Sequence, residues 1–233
     1  DNSFYIKNEI GPWQGDICSE KILDLIPSWK PDVIINMAAE SHVDRSISDP
    51  NSFVNSNVFG TVNLMNAALK CSEVPLFVQI STDEVYGDVQ VGLSKEGDPR
   101  YASSPYSASK ASAEMFVESY ARTYGLKTII TRSSNNFGPY QDPEKLIPKA
   151  ITNILAGKKV PMYGDGLQER DWIYVEDNCK GILKAIEVEG DVYNIGRGIP
   201  ITNHRLISTL VMMMDKQPED VIQFVTDRPG HDR

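Results

Sequence analysis

Three short apolar runs, VIINMAA (33–39), LFVQIS (76–81) and KTIITRS (127–133), alternate with two long stretches of helical spacing, 51–70 and 105–124. That alternation limits the possible folds more than any other feature of the chain. VIINMAA reads as a buried strand, and the other two runs read as the strands that follow it. A crossover of helical length carries the chain back to the same end of a sheet, so consecutive strands run parallel. Pro105 stands where a first helical turn tolerates proline, which marks a helix start. The pattern predicts an α/β chain with a doubly wound parallel sheet.

After about residue 140 the chain is punctuated by Pro and Gly, as in YQDPEKLIP (140–148) and GKKVPMYGDG (157–166). A helix near 177–187, a strand near 191–195 and an amphipathic helix over 203–214 are expected there. The spacing therefore suggests a sheet domain over 1–140 and a smaller mixed α/β lobe over 141–233. Residues of about 170–195 return from that lobe to the sheet. The apolar surface of 51–70 and 105–124 exceeds what one sheet covers, and Ala108, Ala111 and Ala113 allow another helix to approach closely. A homodimer through these two helices is the expectation.

A net charge of −9 argues against nucleic acid as a partner, because phosphates need a basic face. VIINMAA and LVMMM (210–214) are far too short to cross a bilayer, so no membrane partner is expected. Cys18, Cys71 and Cys179 are widely spaced and lack metal-type pairing. Three reduced thiols in a reducing cytoplasm, and no bound metal, are what they suggest.

Ligands of parallel sheets sit beyond the carboxyl ends of the strands. AAESH (38–42), STDE (81–84) and SSNNFG (133–138) lie at three such ends. Tyr106 and Lys110 are four apart near a helix start and share one face. A neighbouring ammonium stabilises a phenolate and lowers the tyrosine pKa toward that of a working base. Thr82 is placed to hydrogen-bond a substrate hydroxyl whose proton Tyr106 removes. Asp83 and Glu84 are adjacent at a strand end, where ionising one disfavours ionising the other. Arg170, Arg228 and His231 are side chains of the kind that hold a small polyanion.

STDEVYG (81–87), SSPYSASK (103–110), AAESHVDRSI (38–47), SSNNFGPYQDPEKLIP (133–148), YGDGLQERDWIYVEDN (163–178) and DRPGHDR (227–233) occur in one order. Together they resemble the nucleotide-sugar 4,6-dehydratases of the extended short-chain dehydrogenase/reductase superfamily, most of all the branch acting on dTDP-glucose. The resemblance implies a Rossmann-like fold, NAD as cofactor and a nucleotide-sugar substrate, dTDP-glucose or similar. It implies oxidation at C4, loss of water across C5 and C6, and return of hydride to C6. Tyr106 and Lys110 would deprotonate the 4-hydroxyl, Glu84 would take the C5 proton and Asp83 would protonate the departing 6-hydroxyl. For the cofactor, the matching positions are Asp16 and Ile17, then Ala38, Ala39, Glu40, Ser41 and His42, then Asn57, Tyr106, Lys110 and Asn136. For the nucleotide sugar they begin with His42, Thr82, Asp83, Glu84, Asn135, Lys145 and Leu146. They continue with Pro161, Met162, Tyr163, Arg170 and Asn203, and end with Asp227, Arg228, Pro229, Gly230 and His231.

The family's glycine-rich dinucleotide turn has no counterpart in DNSFYIKNEIGPWQG (1–15), where Gly11 and Gly15 stand alone. The expectation is a chain truncated at both ends, lacking the first βαβ unit. Arg197 in NIGRG stands where the family often has glycine. The enzymatic alternatives on this scaffold are a 4-epimerase or a decarboxylase. The non-enzymatic one is a remnant that binds sugar nucleotides without turning them over. Epimerases need neither a C5 base nor a C6 acid, so Asp83-Glu84 favours dehydration.

Overall fold

The computed structural model describes residues 14–89, 92–188, 190–227 and 232. The chain runs α1 (Ile22–Trp29), β1 (Val33–Asn36), α2 (Val43–Ser48) and α3 (Pro50–Phe53). A π-helical turn (Val54–Phe59) leads from α3 into α4 (Gly60–Leu69), followed by β2 (Leu76–Thr82) and a 3-10 turn (Asp83–Tyr86). Next come α5 (Pro105–Tyr124), β3 (Thr128–Ser133), β4 (Asn135–Phe137), α6 (Leu146–Leu155) and β5 (Val160–Tyr163). The remainder is β6 (Glu169–Arg170), β7 (Trp172–Tyr174), α7 (Val175–Glu187), β8 (Val192–Ile195), β9 (Ile201–Thr202), α8 (Asn203–Met213), α9 (Pro218–Val221) and β10 (Ile222–Val225).

Among the described residues the main sheet has the order β1-β2-β3-β8, all parallel. Helices pack on both faces of its two central strands, β2 and β3. Ile34, Phe77 and Ile130 pack under α1, α4 and α5, with Leu64, Met65 and Val117 as partners. Val78 and Ile129 point the other way, onto Ala185 of α7. Successive side chains of a strand face opposite sides, so this division follows directly from the pleat. A second cluster, Ala150, Ile154, Val160, Met162, Ile207 and Val211, forms where α6, β5 and α8 meet. β8 leaves that region and pairs with β3.

Helix α5 has the predicted bounds because both ends carry local signals. Ser104 and Ser107 form a reciprocal capping box, Pro105 occupies the first turn and Gly125 closes the helix in the left-handed region. Three expectations need correction. VIINMAA is a strand only as far as Asn36, and its residues alternate, with Ile34 buried and Ile35 37% exposed. Helices cover one face of β1, and β2 is its described neighbour. The stretch 51–70 is not one regular helix, because the π-turn shifts its register at Val54–Phe59. That shift turns Asn57 inward and leaves Val54 and Phe59 outside. Finally, Ala111 and Ala113 are buried within the chain itself, Ala111 against Val85 and Tyr86, while Ala108 is exposed. No described helix is long and apolar enough to cross a membrane.

Candidate active site

β2 ends at Thr82, and its hydroxyl accepts a hydrogen bond from the Glu84 N–H at 3.2 Å, which caps the 3-10 turn. Gly87 closes the turn at φ +71°, where a Cβ would run into the Tyr101 carbonyl oxygen. Tyr101 in turn donates its N–H to the Val85 carbonyl at 3.0 Å. Val85 is fully buried. Asp83 and Glu84 are therefore carried on a turn fixed at both ends. Gly87→Ala should cost about 1–3 kcal/mol of stability, read as a fall in urea midpoint, because both the φ and the close approach oppose a side chain.

Asp83, Glu84 and Tyr106 line one cavity of about 300 Å³, together with Ser41, Thr82, Asn135, Asn136, Lys145 and Leu146. The sequence reading singled out each of these nine residues. The same cavity holds Ile80, Ser81, Ser133, Ser134, Gln141, Trp172 and Asn178, which it missed. All seven lie inside or beside the motif segments already recognised, so proximity to a strand end was the available signal. Ser81 Oγ, Ser134 Oγ, Asn136 Oδ1, Gln141 Oε1 and Trp172 Nε1 are buried there with no hydrogen-bond partner among the described residues. Buried polar groups are almost always paired, so five on one cavity wall suit a polar ligand. Asp83 and Glu84 also border a second cavity of about 320 Å³ on the side of Arg170, Asp171 and Arg132.

Burial pushes the Asp83 pKa up to about 7, and the neighbouring Glu84 charge adds to it. The Thr82 hydroxyl and the Arg170 charge pull the other way. Asp83 thus holds its proton below neutral pH and shares it with solvent near neutrality. The expectation for Tyr106 is reversed. Burial, then the charges of Glu84 and Asp83, push its phenol well above the usual range, with only the Thr82 hydrogen bond opposing them. The Lys110 Nζ, one turn along α5, donates to the Ile80 carbonyl at 2.5 Å. Burial lowers the Lys110 pKa to about 8. Burial also lowers the Lys145 pKa, against the charge of Glu84. Lys145 Nζ donates to the Ser41 carbonyl at 2.8 Å and so ties α6 to the loop after β1.

That loop carries Ala38, Ala39, Glu40, Ser41 and His42, and Asn57 pins it. The Asn57 amide accepts from the Glu40 N–H at 2.8 Å and donates to the Glu40 carbonyl at 3.0 Å and to Ser109 at 2.8 Å. Its polar atoms are already engaged, so Asn57 acts here on the loop. His42 Nε2 lies 3.6 Å from Glu144. Asp16 and Ile17 dock on α4: Asn63 donates to the Ile17 carbonyl at 2.7 Å, and Asp16 accepts from the Cys18 N–H at 2.8 Å.

Other predicted residues gather away from both cavities. Gln168 donates to Asp227 at 2.9 Å, and the Asn203 N–H donates to the Gln168 carbonyl at 2.9 Å. Tyr163 reaches Asp44 at 3.5 Å and lies next to Pro161 and Met162 on β5. Met162 points into the second core cluster. Arg170 is the exception, since it borders the second cavity, where the carbonyls of Glu169 and Asp232 hold it. Arg228, Pro229, Gly230 and His231 lie outside the described residues.

Known proteins are similar to this chain over most of its length. The low-salt glycan biosynthesis protein Agl12 of Haloferax volcanii is 48% identical, over 94% of this chain and 71% of that protein. A dTDP-glucose 4,6-dehydratase of Streptomyces antibioticus is 46% identical, over 94% of this chain and 65% of that protein. The solved structure of the Streptomyces venezuelae dTDP-glucose 4,6-dehydratase DesIV, a double mutant with NAD and DAU bound, superposes with a TM-score of 0.88 at 41% identity. It is matched over 94% of this chain and 67% of that one. The chain thus spans about two thirds of the length of these relatives, and its sheet is of the Rossmann type. The GDP-mannose 4,6 dehydratase family model matches residues 1–233, and the chain belongs to that family.

Proposed function

We propose that the protein dehydrates a nucleotide-activated hexose, dTDP-glucose or a close relative, to its 4-keto-6-deoxy form. The observation that carries this reading is the convergence of Asp83, Glu84 and Tyr106 on one cavity beyond the strand ends. NAD, the cofactor of the solved relative, supplies hydride acceptance from C4 and hydride return to C6 when bound. The residues here fit its reactive end: Tyr106, Lys110 and Ser41 border the cavity or its wall, and Ser81, Ser134 and Asn136 offer buried polar atoms.

Tyr106 receives the proton of the sugar 4-hydroxyl in its phenolate form, which the Thr82 hydrogen bond favours and burial and the Glu84 charge oppose. Neutral Asp83 removes one of the two charges that oppose the phenolate. A ketone at C4 acidifies the C5 proton, and Glu84 takes it. Asp83 gives its proton to O6, the C6–O6 bond breaks and water leaves. An epimerase or decarboxylase on this scaffold would use Tyr106 and have no work for the acid pair.

Residues 141–233 mainly form the nucleotide-sugar lobe, with Lys145, Leu146 and Arg170 facing the cavities and Tyr163, Asn203 and Asp227 further out. The protein pairs with a second copy through α5 and the α3–α4 helix. Val54, Phe59, Met115 and Phe116 are 43–60% exposed on these adjoining helices, which supports the pairing. Free thiols at Cys18, Cys71 and Cys179 suit the cytoplasm. Incubating the full-length protein with dTDP-glucose and NAD should yield the alkali-absorbing 4-keto-6-deoxy product. A product that keeps its 6-hydroxyl would replace this reading with epimerisation. Protection by dTDP with no turnover would replace it with a binding protein.

A further inference from the structure

The hydroxyl of Tyr86 joins the carboxyl ends of three adjacent strands. Tyr86 closes the 3-10 turn after β2, its hydroxyl accepts from Arg132 Nη1 of β3 at 2.8 Å, and it donates to Asn194 Oδ1 of β8 at 2.7 Å. Burial raises the phenol pKa, which keeps that donated proton in place. The Arg132 guanidinium also lies over the Tyr86 ring, 4.9 Å from its centre. Both clamping residues are themselves held. Arg132 Nε and Nη2 donate to Glu114 of α5 at 3.0 and 2.7 Å, and its Nη1 donates to the Glu96 carbonyl at 3.0 Å. Asn194 is held by the loop that carries Ser94 and Glu96, since its N–H donates to Glu96 Oε1 and its amide to the Ser94 carbonyl, each at 3.0 Å.

Asp83 and Glu84 sit between this anchor and the Thr82 cap, on a turn four residues long. We propose that Tyr86 is a positioning residue: clamped between Arg132 and Asn194, it sets the rotation of the turn and hence the reach of both carboxyls into the cavity. This rests on the dehydration reading, in which those carboxyls act together on C5 and O6. Tyr106 stands on α5, whose start is fixed by its own capping box. Loss of the Tyr86 hydroxyl therefore separates the two halves of the reaction, disturbing elimination while leaving deprotonation of the 4-hydroxyl in place.

The test is Tyr86→Phe in the full-length protein, followed through a single turnover of dTDP-glucose with NAD. Elimination should slow about 10–100-fold, since misplacement of reacting groups by an ångström costs on that order. Sugar oxidation, read as reduced nicotinamide, should keep its rate, so reduced nicotinamide builds up transiently. A purely structural role would lower the thermal midpoint and scale both steps together, and that result overturns the proposal. Asn194→Ser removes the hydroxyl's acceptor, together with the amide's bond to the Ser94 carbonyl, and should give the same partition more weakly, which keeps the test usable if Tyr86→Phe folds poorly. If the unmodified protein makes no 4-keto-6-deoxy product, the dehydration reading fails. If it does and Tyr86→Phe matches it in both steps, only the positioning role fails.

Discussion

Asp83→Asn leaves the fold intact, lowers water elimination about 10²–10⁴-fold and makes the protein more stable at pH 8. The rate loss follows because the amide has no proton to give to O6. The gain in stability follows from the raised pKa. Asp83 shifts from 3.8 to about 7 on folding, with burial as the main cause and Glu84 as the second. Between those values the folded state holds a proton that the unfolded chain has released. Stability therefore declines as pH rises from about 4 to about 7, and the full penalty stands above that. Each unit is worth about 1.4 kcal/mol, and partial contact with the cavity reduces the total, so removing the charge should return about 2 kcal/mol at pH 8. At pH 3 the unmodified chain carries no such penalty, and the two proteins should differ little. Urea titrations at both pH values check this. Equal stability at pH 8 would mean that Asp83 titrates like an exposed aspartate, and the general-acid role would lose its physical basis. A parallel fall of sugar oxidation and elimination would remove the division of labour between Tyr106 and the acids.

The parts of the structure legible in the sequence are those written in contiguous residues. Helix α5 could be bounded because Ser104, Pro105 and Gly125 are its own start and stop signals. The acid pair and Tyr106 could be placed in one site because each follows a strand or opens a helix at the same sheet end. What stayed hidden depends on tertiary packing. The π-turn at Val54–Phe59 is a register shift that buries Asn57, where its amide pins the Glu40 backbone, and no local residue announces it. The pKa direction of Tyr106 depends on packing in the same way. Spacing puts the Lys110 ammonium one turn away, but burial of the phenol and then the Glu84 charge set the direction. Met162 sits between two residues of a ligand-like segment, but the pleat turns its side chain into the core.

The other large effect belongs to a residue that sequence alone gives no reason to notice. Glu114→Ala should destabilise the protein by about 3–5 kcal/mol, the range for removing one partner of a buried ion pair. Glu114 is fully buried and lies 2.7 Å from Arg132, whose side chain is 2% exposed. Arg100 also reaches it at 3.0 Å but is 23% exposed and keeps Glu118 at 2.7 Å, so it loses less. Arg132 has no comparable substitute. Its remaining partners are the Tyr86 hydroxyl and the Glu96 carbonyl, both neutral. A guanidinium cannot shed its proton to escape burial, so the penalty should persist across the accessible pH range. Chemical denaturation should show a lower midpoint with an unchanged slope. The cost should fall in the double variant Glu114→Ala with Arg132→Met, because replacing both partners of a buried pair leaves no stranded charge. A single variant that loses less than about 1 kcal/mol would place the pair among exposed salt bridges in energy and contradict the burial that defines it.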